Sequence, residues 1–123
     1  MRSLIYGYGD TGKSFERYLE DKKINFDIFD SNIAEHNQNY NLEDFDQILC
    51  SPGVPKDIFE NIKSQNINTF TDVDIFFNED KSVKIGITGT NRKSTTAFHL
   101  HQLFNKYKPS NLVGNIGNPM LDF

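Results

Sequence analysis

Apolar residues fall into short clusters separated by polar, glycine-rich or proline-rich breaks, and the spacing within each cluster predicts its element. Leu4, Ile5 and Tyr6 form a run that ends at Gly7, after which Phe15, Tyr18 and Leu19 recur at the i, i+3, i+4 spacing of a helix face. The pattern is strand, turn, helix, with the helix stopping in the charged stretch 20–23. Residues 26–30 (Phe-Asp-Ile-Phe-Asp) alternate apolar and acidic and read as a second strand. Two strands joined through a helix lie parallel, so this segment predicts a βαβ unit and an open parallel sheet.

Residues 31–46 are rich in Asn, Asp and Glu and predict a loop or a short exposed helix before a third strand at 47–50. Ser51-Pro52-Gly53-Val54-Pro55 breaks that strand, and Ile58, Phe59 and Ile62 then share one side of a helix over 57–64. A fourth strand is expected at 67–70, a short apolar turn or helix at 73–77, and a domain boundary in the polar stretch 78–81. Beyond it, residues 83–88 predict another strand and 89–94 another turn. Ala97, Leu100, Leu103, Phe104 and Tyr107 predict the buried stripe of another helix. The reading is α/β: a Rossmann-like parallel sheet flanked by helices over 1–80, then an incomplete strand, phosphate-loop and helix unit over 81–123.

Composition narrows the partners. With 123 residues the chain has room for one core and at most part of a second. Its 13 basic and 17 acidic residues form no block of one sign, which argues against a nucleic-acid surface or a basic membrane patch. No apolar run reaches the ~20 residues of a membrane span, and the first residues resemble no export signal, so a cytoplasmic location is expected. Cys50 is the lone cysteine, which leaves no internal disulfide, and His36, His99 and His101 have no metal-ligand spacing. Small molecules are the expected partners.

Two glycine turns carry the candidate chemistry. Gly7-Tyr8-Gly9-Asp10-Thr11-Gly12 is a G-x-G-x-x-G set between a strand and a helix, where backbone amides and a helix N-terminus can meet a phosphate. Asp30, at the end of the second strand, stands where an acid meets a ribose in dinucleotide folds. Gly89-Thr90-Asn91-Arg92-Lys93-Ser94-Thr95 is of the phosphate-loop kind, in which the lysine neutralises ATP phosphates and the next hydroxyl holds magnesium. Arg92 replaces the glycine that should precede the lysine, at a cost of ~1–2 kcal/mol if the position is left-handed.

These two turns, with Ser51-Pro52-Gly53-Val54-Pro55 between them and Gly114-Asn115-Ile116-Gly117-Asn118-Pro119 after them, resemble in order the motifs of the Mur ligases of peptidoglycan synthesis. The pairing of the first turn with Ser-Pro-Gly-Val-Pro resembles the branch that adds D-glutamate to UDP-N-acetylmuramoyl-L-alanine. The resemblance implies a UDP site formed by Gly7, Gly9, Asp10, Thr11, Gly12, Asp30, Ser31, Asn32, Ser51, Pro52 and Gly53. It further implies an ATP site from Gly89, Thr90, Asn91, Arg92, Lys93, Ser94 and Thr95, with Ser94 near magnesium and Asn115 on the substrate side. The family reaction joins D-glutamate through an acyl phosphate made with ATP and Mg2+.

The family's acidic magnesium ligand, its histidine, its metal-bridging lysine and its C-terminal domain correspond to positions beyond Phe123. The chain is therefore expected to be an N-terminal fragment or truncated form that binds the UDP moiety without catalysing alone. Two other readings stay open at this point: an NAD-binding Rossmann module, and a nonenzymatic regulatory remnant that binds a nucleotide-sugar.

Overall fold

A computed structural model of the chain describes residues 1–88, 92–113 and 121. In order these form β1 (Arg2–Tyr6), α1 (Asp10–Asp21), β2 (Asn25–Phe29), β3 (Gln47–Cys50), α2 (Lys56–Gln65), β4 (Thr69–Phe70), α3 (Asp72–Glu79) and α4 (Lys93–Phe104). Two short 3-10 turns, Ala34–His36 and Leu42–Asp44, lie between β2 and β3. The strands make one parallel sheet in the order β2-β1-β3-β4. This is the expected Rossmann-like arrangement.

Side chains alternate across the central strands, so each strand feeds two cores. Leu4, Ile48 and Cys50 join Phe45 and Ile62 of α2 on one face. Ile5 and Leu49 join Phe15 and Leu19 of α1 on the other, with Ile75 of α3 packed beside them. Each such fully buried Leu, Ile or Phe contributes roughly 1.5–3 kcal/mol over its exposed state. The sheet is thus the middle of three layers.

Local chemistry sets the element ends. α1 stops in a Schellman turn: Lys23 adopts φ +57°, Ile24 N donates to Leu19 O at 2.9 Å, and Lys23 N donates to Glu20 O at 3.1 Å. Thr71 and Asp74 form a reciprocal capping box that starts α3. Tyr18 Oη then donates to Glu79 Oε1 at 2.8 Å and ties α1 to α3.

Ile58, Phe59 and Ile62 do share one side of α2, with Ile62 buried, Phe59 half-buried and Ile58 39% exposed at the edge of that face. Three expectations are corrected. The fourth strand is Thr69–Phe70, not 67–70: Asn68 N bonds to Asn66 Oδ1 at 3.0 Å, and this local turn keeps Ile67 81% exposed and out of the ladder. Residues 83–88 form no strand, because a strand must pair its backbone with a neighbour and the sheet takes in none of the described residues after β4. The helix after them is present, but Leu103, Phe104 and Tyr107 are exposed and Ala97 and Leu100 only half-buried, because no other described element packs a core onto α4.

Candidate functional site

The chain runs from β1 out to β2 on one side and then returns to place β3 on the other, so the strand order reverses between β1 and β3. A crevice at the carboxyl ends of the strands opens at such a switch point, and it is where open parallel sheets take their ligands. Three loops emerge there: the glycine turn after β1, the Asp30 loop after β2, and the Ser51-Pro52-Gly53 loop after β3.

Hydrogen bonds lace these loops together. Gly7 N donates to Phe29 O at 2.8 Å and Ser51 N donates to Tyr6 O at 3.0 Å, extending the ladders one residue past the strands. Ser51 Oγ donates to Gly7 O at 2.9 Å, and Tyr8 N donates to Asp30 Oδ2 at 2.9 Å. Asn32 N donates to Asp30 Oδ1 at 2.9 Å. The two backbone amides hold the Asp30 carboxyl below its usual range, with the nearby His36 adding a smaller contribution.

Two glycines are demanded by this geometry. Gly7 has φ +93°, and a Cβ there would lie 3.1 Å from Ser51 Cβ. At Gly12 a Cβ would sit 2.1 Å from Gly7 O, so α1 starts directly against the turn only because the position lacks a side chain. By contrast, Gly9 and Gly53 border open space. Gly9 caps α1 and no side chain caps its first turn, so the amides of Asp10, Thr11 and Gly12 point out of the helix end without an intrahelical acceptor. Asp10 adds a carboxylate to the same turn.

Gly7, Gly9, Asp10, Thr11, Gly12, Asp30, Ser31, Asn32, Ser51, Pro52 and Gly53 thus converge on one end of the sheet. Two of them spend their polar atoms on the scaffold: the Ser51 hydroxyl proton goes to Gly7, and both Asp30 oxygens accept backbone amides. Sequence reasoning missed Tyr8 as a structural anchor. Its hydroxyl donates to Glu16 Oε1 at 2.9 Å, its ring meets the His36 ring edge-on at 5.2 Å, and its amide is held by Asp30. An aromatic residue inside a glycine turn was the available signal; His36 offered none. Cys50 is buried and its thiol is pushed up to about 11 by that burial, which makes it an inert core side chain.

The second turn is different. Gly89, Thr90, Asn91 and Asn115 lie outside the described residues. Arg92 has φ +58° and ψ 14°, the left-handed conformation whose cost the sequence predicts, and α4 follows it with no side-chain cap. Lys93, Ser94 and Thr95 are exposed in the first turn of α4. Among the described residues no group of three His, Cys, Asp or Glu could complete a metal site around Ser94. No described helix is long and apolar enough to cross a membrane.

No protein-family model matches the chain. It is 38% identical over 97% of its length to proteins named UDP-N-acetylmuramoylalanine–D-glutamate ligase from Francisella tularensis subsp. tularensis (strain SCHU S4 / Schu 4) and subsp. novicida (strain U112). The chain spans 30% of the length of those relatives.

Proposed function

We propose that this chain, a homologue of the Mur ligases matching part of a UDP-N-acetylmuramoylalanine–D-glutamate ligase, holds the UDP half of a nucleotide-sugar substrate at the carboxyl ends of β1, β2 and β3. The observation that carries the reading is the convergence, where the strand order switches between β1 and β3, of the open first turn of α1 with the laced loops after β1, β2 and β3. The amides of Asp10, Thr11 and Gly12 suit the diphosphate, because an uncapped helix N-terminus offers donors and partial positive charge. Ser31 and Asn32 border the β2 side, where the nucleoside sits in such folds, and Pro52 and Gly53 close the β3 side.

In the whole enzyme, of which residues 1–80 would be the N-terminal nucleotide-sugar domain and 81–123 the start of an ATPase domain, the partners would be UDP-N-acetylmuramoyl-L-alanine and D-glutamate, with ATP and Mg2+. Lys93 would face the phosphates and Ser94 the magnesium. Among the described residues no group of three His, Cys, Asp or Glu stands ready to hold that metal. On this reading the 123-residue chain binds its nucleotide-sugar and does not turn it over.

Calorimetry tests this directly. Titration of the chain with UDP-N-acetylmuramoyl-L-alanine is expected to give saturable binding, with no heat from NAD and none from Mg-ATP. Binding of NAD without the UDP-sugar would replace the reading with a dinucleotide module, and ADP release dependent on both substrates would refute the claim that this chain is inactive.

A further inference from the structure

We infer that Asp30 is a positioning residue, which holds the glycine turn in its ligand-ready shape through two backbone amides instead of reading the bound nucleotide. The inference rests on the reading of the crevice as a nucleotide site. In a βαβ unit an acid at the end of the second strand commonly meets a ribose hydroxyl. Here its carboxylate is turned back toward the protein. Oδ2 accepts Tyr8 N–H from the glycine turn, and Oδ1 accepts Asn32 N–H from its own loop, each at 2.9 Å.

The surrounding groups fix both ends of the Tyr8 contact. Asp30 N donates to His36 O at 2.9 Å, so the backbone that carries the carboxylate is itself tied down. Tyr8 is held at its hydroxyl by Glu16 and at its ring by His36, which sets the direction of its amide. That amide is consumed by Asp30 and cannot serve a phosphate. The next residue is Gly9, the cap of α1, so the Asp30 contact sets how the first turn of the helix faces the crevice. Charge-assisted bonds from a carboxylate to backbone amides are the stronger kind, which suits a role as a fixed strut. The depressed carboxyl is consistent with this, because the two amides favour the charged form.

A carboxylate retains further lone pairs, so the test must separate a strut from a direct contact. Asp30→Asn keeps the size and one acceptor but removes the charge. The full chain and this variant would be compared in amide hydrogen exchange without ligand and in titrations with UDP, CDP and 2′-deoxy-UDP. Exchange at Tyr8 is expected to speed up about tenfold, with Ile5 and Leu49 unchanged as controls for the fold. UDP, CDP and 2′-deoxy-UDP should all weaken by the same factor, about tenfold, with their ratios unchanged.

A switch of preference from UDP toward CDP would overturn the inference, because a carboxylate can accept uracil N3–H whereas an asparagine can donate to cytosine N3. A loss confined to UDP over its 2′-deoxy form would equally overturn it, in favour of ribose contact. Unchanged exchange at Tyr8 would show that Asp30 does not hold the turn. If the unaltered chain bound none of the nucleotides, the nucleotide-site reading would fail, and the exchange at Tyr8 would still decide whether Asp30 shapes the turn.

Discussion

The chain carries the pattern of apolar run, glycine turn and helix twice, and the two copies reach different ends. Around the first, β1 finds parallel partners on both sides, and α1 buries Gly12, Ser14, Phe15 and Leu19. Around the second, residues 83–88 join no sheet, Val83 is 94% exposed, and α4 buries nothing. The local signals are similar in kind, so the difference lies in what surrounds them. A glycine turn becomes a built site when neighbouring strands bring their loops to it, as β2 brings Asp30 and β3 brings Ser51.

The largest effect is expected where the first copy is tightest. Gly12→Ala places a methyl group 2.1 Å from Gly7 O, a backbone atom that cannot swing aside. Overpacking of this kind costs about 3 kcal/mol or more, and urea unfolding should show it together with loss of UDP-sugar binding. Gly86→Ala in the second copy meets open space and should leave the urea midpoint unchanged. A Gly12→Ala chain as stable as the original would break the idea that close packing of α1 on the turn distinguishes the two copies.

Paired aromatic truncations sharpen the same contrast. Phe15 is 0% exposed between α1 and the sheet, and Phe15→Ala should cost ~3–5 kcal/mol in urea unfolding. Phe98 on α4 is 49% exposed, and Phe98→Ala should stay within about 0.5 kcal/mol. A large loss at Phe98 would mean that α4 is packed in solution and that the two copies are alike.

The difference between the copies also explains how far the sequence could be read. The order of elements over the first 80 residues was legible because apolar runs of period two and stripes of period 3.6 coincide there with real burial, as at Leu4, Ile5, Phe15 and Leu19. The convergence of Gly7, Asp30 and Ser51 was legible from the rule that loops at parallel strand ends adjoin. The lacing between them was not, since a bond from Tyr8 N to Asp30 depends on register and loop shape and not on residue type. The stripe Ala97, Leu100, Leu103, Phe104 and Tyr107 misled on burial because periodicity reports which side of a helix is apolar and says nothing of whether a partner covers it. The left-handed Arg92 was legible in the opposite way, as a glycine position filled by another residue.

Smaller effects follow from the two non-glycine residues with positive φ. Lys23 ends α1 at φ +57° inside the folded layer, so Lys23→Gly relieves a cost carried by the whole domain. After the added chain entropy of glycine, a gain of about 0.5–1 kcal/mol in the urea midpoint is expected. Arg92→Gly relieves the same conformation at φ +58° but on a helix without a buried residue. It should raise helical circular dichroism slightly while the midpoint stays fixed. Equal gains in the midpoint from both changes would show that α4 unfolds together with the sheet.

The smallest effect concerns acid. Asp30 is depressed by the amides of Tyr8 and Asn32, and Asp80 by the amide and hydroxyl of Ser82. A carboxyl lowered in the folded state contributes stability that is complete above its unfolded value, near pH 4, and is lost as pH falls through its folded value. The two contributions therefore fade in the same window, but they hold different things. Asp30 joins the loop of β2 to the loop of β1, whereas Asp80 closes a turn with Ser82 two residues on. Glu79 is depressed as well, first by Tyr18 and then by Lys22, so acid also loosens the tie between α1 and α3. Urea midpoints at pH 6 and pH 3 should accordingly differ less in Asp30→Asn than in the unaltered chain, while Asp80→Asn leaves that difference unchanged. Should Asp80→Asn reduce the pH dependence as much as Asp30→Asn does, the stretch after α3 would be coupled to the sheet, and the contrast between the two regions would have to be redrawn beyond residue 80.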